Sequence, residues 1–135
     1  MTYRLMLLVA LTALPAFGQT LPLTATAASS AGPRLSFEAP KFNFGVITTG
    51  AVLHHVFEFK NTGTQPLLIS NIGVSCGCTS PTWTRTPVMP GQRGKVQVVF
   101  NSAGKSGMQN KILTVESNSL TGTAVLALVG SITAR

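Results

Sequence analysis

The stretch TTGAVLHHVFEFKNTGTQ, residues 48 to 65, decides the fold. Between its two glycine-containing ends, side chains alternate with a period of two, which is the pattern of a β-strand with one buried face. The residues that share the more apolar face are Leu53, His55, Phe57 and Phe59. The run Asn61-Thr62-Gly63 supplies turn residues at its end. The sequence therefore predicts a strand that buries this face and then turns.

Similar short segments follow outward from this strand to both ends of the domain. KVQVVFN, residues 95 to 101, alternates strictly, and Pro40 interrupts the first β-type stretch, residues 34 to 47. No segment after residue 33 keeps apolar residues at helical spacing. This pattern predicts an all-β fold, an antiparallel immunoglobulin-like β-sandwich of seven to eight strands, with a barrel as the alternative. Residues 82 to 94, TWTRTPVMPGQRG, are expected to form an irregular connection.

The first 33 residues differ in composition from the rest of the chain. Residues 1 to 18 carry one early positive charge, an apolar run and small residues at the spacing of a cleavage site, which predicts a signal peptide and export. The alternatives are a membrane anchor and cleavage further on, near Ala27 or Ala28. The apolar run is short for a bilayer span, so no span is expected after cleavage.

Residues 19 to 33 lack charge, aromatic residues and any apolar period, and we expect a flexible leader there. Residues 34 to 135 then form the sandwich domain. The expected location is the periplasm or the extracellular space.

The charge is basic because acids are scarce. The chain has 10 Lys and Arg against 3 acidic residues, giving a formal net charge of +7. The basic residues are scattered, so we expect a solvated surface and no nucleic-acid partner, since an exported protein rarely meets nucleic acid. Another envelope protein is the expected partner, and an acidic envelope polymer is a weaker alternative.

The only two cysteines, Cys76 and Cys78, stand on either side of Gly77. Residues two apart in a strand point to the same side, and glycine is expected to let the backbone bend there. A local disulfide is the first hypothesis, because the exported compartment is oxidising. Three alternatives stay open: unpaired thiols packed against Trp83, a metal pair completed by His55, and a redox-active dithiol.

Conventional catalysis has little support in this composition. Three glutamates are the whole acidic inventory, and they fall on separate segments, which disfavours a pair of carboxylates for acid–base chemistry. A dyad of Cys78 and His55 has no orienting acid in the sequence. We therefore predict no enzyme activity and no cofactor. Trp83, with Arg85 beside it, is the candidate binding surface, since tryptophan dominates binding hot spots.

The motifs together resemble an exported bacterial family of domains of unknown function, akin to the Hydin-type and major-sperm-protein-type sandwiches. The resemblance covers nearly all of residues 36 to 132. The matching residues are Phe42, Phe44, Gly45, Ile47, Phe57, Phe59, Asn61, Gly63, Pro66, Leu67, Ile69, Ser75, Cys76, Gly77, Cys78, Thr79, Pro90, Gly91, Gly94, Ser117 and Asn118. What the resemblance implies is an immunoglobulin-like fold and export, with no substrate. An interaction or scaffold domain of the cell envelope is thus the first functional hypothesis, and metal binding or thiol redox chemistry at the cysteines is the alternative.

Overall fold

The computed structural model describes residues 30–135, together with the single residues 13 and 18. The rest of the predicted signal peptide and residues 19–29 of the predicted leader lie outside the described residues. Eight strands follow one another along the described chain. They are β1 (Leu35–Phe37), β2 (Lys41–Thr48), β3 (Val52–Asn61), β4 (Ile69–Val74), β5 (Thr79–Trp83), β6 (Arg93–Asn101), β7 (Gly107–Ser117) and β8 (Ala124–Thr133).

The strands form two four-stranded sheets that face each other. The first sheet has the order β1-β3-β6-β5 and the second the order β2-β8-β7-β4. All pairs are antiparallel except β2 with β8, which is parallel. The predicted immunoglobulin-like sandwich is confirmed. The parallel pair arises because the chain leaves the first sheet after Phe37 and joins the second at Lys41, with Pro40 in the gap where a proline is tolerated.

The core lies between the sheets and is built from the alternation seen in the sequence. On β3 the side chains of Phe57 and Phe59 are fully buried, and Leu53 and His55 are half-buried on the same face. The other core residues come from both sheets and their connections and are aliphatic with one further phenylalanine. They are Leu35, Leu67, Ile69, Ile72, Val88, Val96, Val98, Phe100, Leu113, Val115, Leu126, Leu128 and Ile132. Burial of these side chains is the dominant favourable term in the stability of the sandwich.

Asn61 organises one end of the sandwich, and we name the turn around it the Asn61 corner (residues 61–65). Its side chain is fully buried, and its Oδ1 accepts hydrogen bonds from the backbone N–H groups of Arg34 (3.2 Å) and Gly63 (2.9 Å). Its Nδ2 donates to the carbonyl oxygens of Gln65 (2.7 Å) and Val88 (2.9 Å). One amide thus satisfies four backbone groups from three separate segments.

Two residues that the sequence places in the leader are docked on this corner. Gly32 and Pro33 are buried. The N–H of Thr64 donates to the carbonyl of Gly32 (2.8 Å), and the N–H of Leu120 donates to the carbonyl of Pro33 (2.9 Å). A Cβ on Gly63 would overlap the carbonyl of Gly32, so glycine is needed at this close approach. Within residues 30–135, backbone contacts of the domain therefore already include Gly32, two residues before the predicted boundary.

Strand β5 corrects the prediction of an irregular connection over residues 82 to 94. Thr82 and Trp83 belong to this strand, which pairs with β6 from Thr79 to Trp83. β5 is an edge strand, and the proline at position 81 is compatible with a strand that has one unpaired side. Its outward residues, Ser80 and Thr82, are polar, which hides the strand pattern in the sequence.

Candidate functional site

The Cys-Gly-Cys turn, residues 75–78, carries the chain from the second sheet to the first. It connects the edge strand β4 to the edge strand β5. Backbone hydrogen bonds hold it on both sides: the N–H of Ser75 donates to the carbonyl of Ile112 (3.0 Å), and that of Asn101 donates to the carbonyl of Cys78 (2.9 Å). The N–H of Thr79 closes the turn by donating to the carbonyl of Cys76 (3.2 Å).

The two sulfur atoms of this turn lie at bonding distance. The Sγ atoms of Cys76 and Cys78 are 2.03 Å apart and the two Cα atoms are 5.2 Å apart. The backbone N–H of Cys78 donates to the Sγ of Cys76 at 3.2 Å. Both cysteines are half-buried, and Cys78 packs against the core.

Gly77 does not play the part that the sequence suggested. Its φ lies outside the left-handed region that favours glycine, and a Cβ built there would meet open space. Neither backbone strain nor crowding therefore requires a glycine at this position. Gly77 is exposed, and a side chain at this position would project into open space next to the two cysteines.

Trp83 lies at the other end of β5 from the cysteines and packs against the core. The guanidinium carbon of Arg85 sits 3.7 Å from the centroid of the tryptophan ring, a cation–π contact. The Nε1 of Trp83 is buried and has no hydrogen-bond partner within the described part of the chain. These two residues form a compact cover over one edge of the sandwich, with the arginine on the outside.

His55 belongs to an aromatic stack inside the sandwich. Its ring lies parallel to that of Phe42 with the centroids 3.7 Å apart, and it meets the ring of Phe57 edge-on at 4.5 Å. Burial lowers the pKa of His55 below its ordinary value of 6.5. Over residues 30–135 no three histidine, cysteine or acidic side chains come together as a group that would hold a metal ion. The structure thus places His55 with phenylalanines and not in a ligand set with Cys76 and Cys78.

A groove runs along the outward face of the first sheet, and we name it the outer groove. One part, of about 470 Å³, is lined by residues of β3, β5 and β6 that include His54, Val56, Thr82, Gln97 and Val99. The second part, of about 440 Å³, continues from Val99 to the Cys-Gly-Cys turn. It is lined by Val52, Gly77, Cys78, Ser80, Val99, Asn101, Ala103 and Lys105.

The outer groove combines apolar and uncharged polar side chains. Val52 and Val56 are 51% and 42% exposed, although valine is usually buried. Strand register makes this surface: Val99 lies between His54 and Ser80, and Gln97 lies between Val56 and Thr82. Lys105 is the one charged residue among those that line the two parts described here.

The packing of the chain beside β3 also brings Glu38 close to Glu58, although the two residues belong to separate segments of the sequence. Glu38 lies beside β3, its backbone N–H donating to the carbonyl of Glu58, and its carboxylate forms an ion pair with Arg93. The hydrogen bond and charge of Glu38 raise the pKa of Arg93, with a smaller effect from Glu58. Both carboxylates face cations, because Glu58 lies opposite Lys95 across the strands. Both glutamates line a smaller cavity that adjoins the outer groove at Val56.

The chain matches the family described as a protein of unknown function, DUF1573, over residues 35–132. This chain belongs to the DUF1573 family. The family resemblance inferred from the sequence is confirmed, and it leaves the activity open. No curated protein matches the DUF1573 chain significantly.

Solved structures support the fold of this DUF1573 domain. A protein of unknown function from Porphyromonas gingivalis W83 superposes with a TM-score of 0.66 at 12% identity, over 79% of this chain and 51% of that one. The PapD-like domain 7 of human CEP192 gives 0.59 at 14% identity, over 92% of this chain and 99% of that domain. The secreted serine protease VesC of Vibrio cholerae gives 0.56 at 18% identity, over 73% of this chain.

These identities show a shared fold and nothing about activity. The chain spans about half of the Porphyromonas protein, 51%, and 23% of the protease. No helix in the described part of the DUF1573 chain has the length and hydrophobicity to cross a membrane.

Proposed function

We propose that this DUF1573 domain is a non-enzymatic protein-interaction module of the cell envelope, which holds an extended segment of another envelope protein in the outer groove. The observation that carries the proposal is the chemistry of that groove. Exposed valines alternate with serine, threonine, glutamine and asparagine along a concave sheet face. Exposed apolar side chains bordered by polar groups are typical of interaction surfaces.

Charge favours an uncharged or acidic partner segment. The chain carries a formal net charge of +7, and Lys105 stands at one end of the groove. Of the two glutamates beside the first sheet, Glu38 forms an ion pair with Arg93 and Glu58 lies opposite Lys95, so each carboxylate has a cation next to it. A basic segment would therefore meet repulsion in the groove, whereas an acidic one would be attracted.

A photo-cross-linking residue at Gln97 tests the proposal in cells that export the full chain. Gln97 is exposed on the outward face of β6, a central strand of the first sheet. Asn110 is the matched control, because it is exposed on the outward face of β7, a central strand of the second sheet. We expect discrete cross-linked proteins from position 97 and none from position 110.

Two matched substitutions establish whether the groove itself is used. Val56→Lys places a charge in the outer groove, and Val125→Lys places one on the outward face of the second sheet, where Val125 is 55% exposed. Val56→Lys should remove the adducts formed at position 97, while Val125→Lys should leave them. Equal labelling from both cross-linking positions, or adducts that survive Val56→Lys, would refute the proposal.

Export is the second part of the proposal, and the supporting observation is the composition of residues 1 to 18. The intact mass of the chain from the exported fraction measures it directly. A mature chain that begins at Gln19 supports export with cleavage after Gly18. A full-length chain that stays in the cytoplasm would contradict it.

A further inference from the structure

The Cys-Gly-Cys turn forms one end of the outer groove. Gly77 and Cys78 line the same part of it as Ser80, Asn101 and Lys105. A partner segment bound along the groove therefore passes directly beside Cys78, whose sulfur is bonded to that of Cys76.

We propose that Cys76 and Cys78 form a thiol–disulfide exchange site, which accepts two electrons from a dithiol in the polypeptide segment held by the outer groove. This inference rests on the proposed function, because the groove supplies the partner. It names the chemical class of that partner, a protein with two reduced cysteines, and a chemical step for the cysteine pair.

The fold does not depend on the bond between these sulfurs. A disulfide stabilises mainly by constraining the unfolded chain, and the effect falls as the closed loop shortens. Here the two cysteines are only two positions apart, and the turn is already held by backbone hydrogen bonds to Ile112 and Asn101. The turn therefore has a means of keeping its shape after reduction, which an exchange site requires.

The local contacts favour attack on Cys78 with Cys76 as the leaving group. Cys78 lines the groove, and the Sγ of Cys76 already accepts the backbone N–H of Cys78 at 3.2 Å. A hydrogen bond to the charged form stabilises a thiolate, and the positive charge of Lys105 acts in the same direction. The thiolate released at Cys76 is thus stabilised from the moment it forms.

The electrons and atoms balance in two steps. A thiolate of the partner attacks the Sγ of Cys78, the bond between the two sulfurs of the turn breaks, and its electron pair leaves on Cys76. The second thiolate of the partner then attacks the partner's first sulfur, which is bonded to the Sγ of Cys78 in the mixed disulfide, and expels the Cys78 thiolate. The partner leaves with a disulfide, the turn holds two reduced cysteines, and the two protons of the partner thiols pass to these cysteines or to solvent. The transfer is stoichiometric, one disulfide for each chain.

The test uses the full chain with the sulfur pair closed and a synthetic extended peptide that carries two reduced cysteines and neighbouring glutamates. Alkylation followed by intact mass measures how fast the disulfide passes from the protein to the peptide. A matched peptide with serines in place of the cysteines measures binding alone, by fluorescence anisotropy. Dithiothreitol serves as a small dithiol that needs no groove.

Three variants separate chemistry from structure. Gly77→Leu, placed where a side chain meets open space, should slow transfer to the peptide by roughly tenfold, because exchange depends on access to the sulfurs. Lys105→Gln should slow it by roughly threefold, since it removes a charge that favours the thiolate. Cys76→Ala should accumulate a mixed disulfide at Cys78 when it meets the oxidised peptide, in larger amount than Cys78→Ala does at Cys76.

The possible results distinguish the exchange site from the interaction module. Transfer to the peptide that slows with Gly77→Leu and with Val56→Lys supports the exchange site. If the serine peptide binds but the sulfur pair stays closed with the cysteine peptide and with dithiothreitol, the exchange site is refuted and the interaction module stands. If dithiothreitol opens the pair but the serine peptide does not bind, the groove is refuted as the source of the partner.

Discussion

The Asn61 corner and the Cys-Gly-Cys turn lie at opposite ends of strand β6 and are held in opposite ways. Asn61 is fully buried, and its side chain satisfies four backbone groups. The Cys-Gly-Cys turn is held at its flanks by backbone hydrogen bonds and by the Ser75 Oγ, which accepts the N–H of Ile112, while its two cysteine side chains are half-buried and make no hydrogen bond to the backbone of the flanking strands. The Asn61 side chain is fully used in holding its corner together. The two cysteine side chains are not needed for that purpose in their turn, so they are available for chemistry.

The largest expected effect in this comparison comes from Asn61→Ala. The substitution removes four hydrogen bonds to buried or partly buried backbone groups, of which the Val88 carbonyl keeps the N–H of Leu67 as a partner. Each group left unsatisfied costs about 1–3 kcal/mol, reduced where water enters. We expect a loss of about 4 kcal/mol or more in the free energy of unfolding, which is enough to unfold a marginally stable domain. Urea unfolding followed by tryptophan fluorescence measures it.

The control for Asn61→Ala is Asn43→Ala. Asn43 also accepts a hydrogen bond two residues ahead, from the N–H of Gly45 at 2.8 Å, but in an exposed site. Its removal should cost less than about 1 kcal/mol, because water replaces the lost partner. Similar losses in the two variants would contradict the assignment of Asn61 as the structural centre of its corner.

The second largest effect is expected from a comparison of Gly94 and Gly77, two glycines that match the family pattern in the sequence. A Cβ on Gly94 would overlap the ring of Phe59, which is fully buried, so Gly94→Ala should cost about 1–3 kcal/mol through overpacking. Gly77→Ala adds a Cβ in open space and should change stability by less than about 0.5 kcal/mol. Thermal unfolding of both variants measures the difference. A large loss in Gly77→Ala would return that glycine to a structural role.

These two glycines also show which features of the structure can be predicted from the sequence and which cannot. The strict alternation on β3 and β6 predicts the strands and their buried faces, because a period of two is the period of a β-strand. It fits a barrel as well as a sandwich, and the order of the strands in the two sheets decides between them. Edge strand β5 is not predicted from the sequence, because Ser80 and Thr82 are polar and position 81 is proline. The reason for a glycine lies in three-dimensional neighbours, such as Phe59 for Gly94, and these are not visible in the pattern.

The candidate site was predictable only in part, for the same reason. Cys76 and Cys78 stand out in the sequence because they are the only two cysteines. The outer groove depends on which residues of β3, β5 and β6 lie side by side, and that register is set by the packing of whole sheets. The pairing of Glu38 with Arg93 arises from register as well.

The third effect is the removal of the sulfur pair in the variant Cys76→Ala/Cys78→Ala. For a loop this short the chain-entropy estimate is only about 1.6 kcal/mol, against about 3 kcal/mol for a 15-residue loop. We expect the double variant to fold and to lose no more than this amount, as measured by urea unfolding of oxidised, reduced and alanine forms. A loss comparable to that of Asn61→Ala would show that the sulfur pair stabilises its turn as strongly as Asn61 stabilises its corner. It would contradict the proposed difference between the two turns.

The smallest expected effect concerns His55, which lies on the same strand as Asn61 but is buried by the rings of Phe42 and Phe57 instead of by hydrogen bonds. Burial lowers the pKa of His55 in the folded state below 6.5, so the unfolded chain takes up a proton more readily than the folded one. Stability from this residue is therefore complete above pH 6.5 and is lost as the pH falls from there towards the lowered folded pKa. The loss should be small, because His55 is only half-buried and solvent reduces the penalty.

Urea midpoints between pH 7.5 and pH 5 measure this slope. His55→Phe keeps an aromatic ring in the stack and removes the proton-binding site, so its midpoint should change less with pH than that of the wild type. His54→Gln is the matched control, since it removes the neighbouring exposed histidine and leaves the stack intact. A slope that persists in His55→Phe would mean that the pH sensitivity originates elsewhere, and that a polar ring packed between phenylalanines is tolerated in either protonation state.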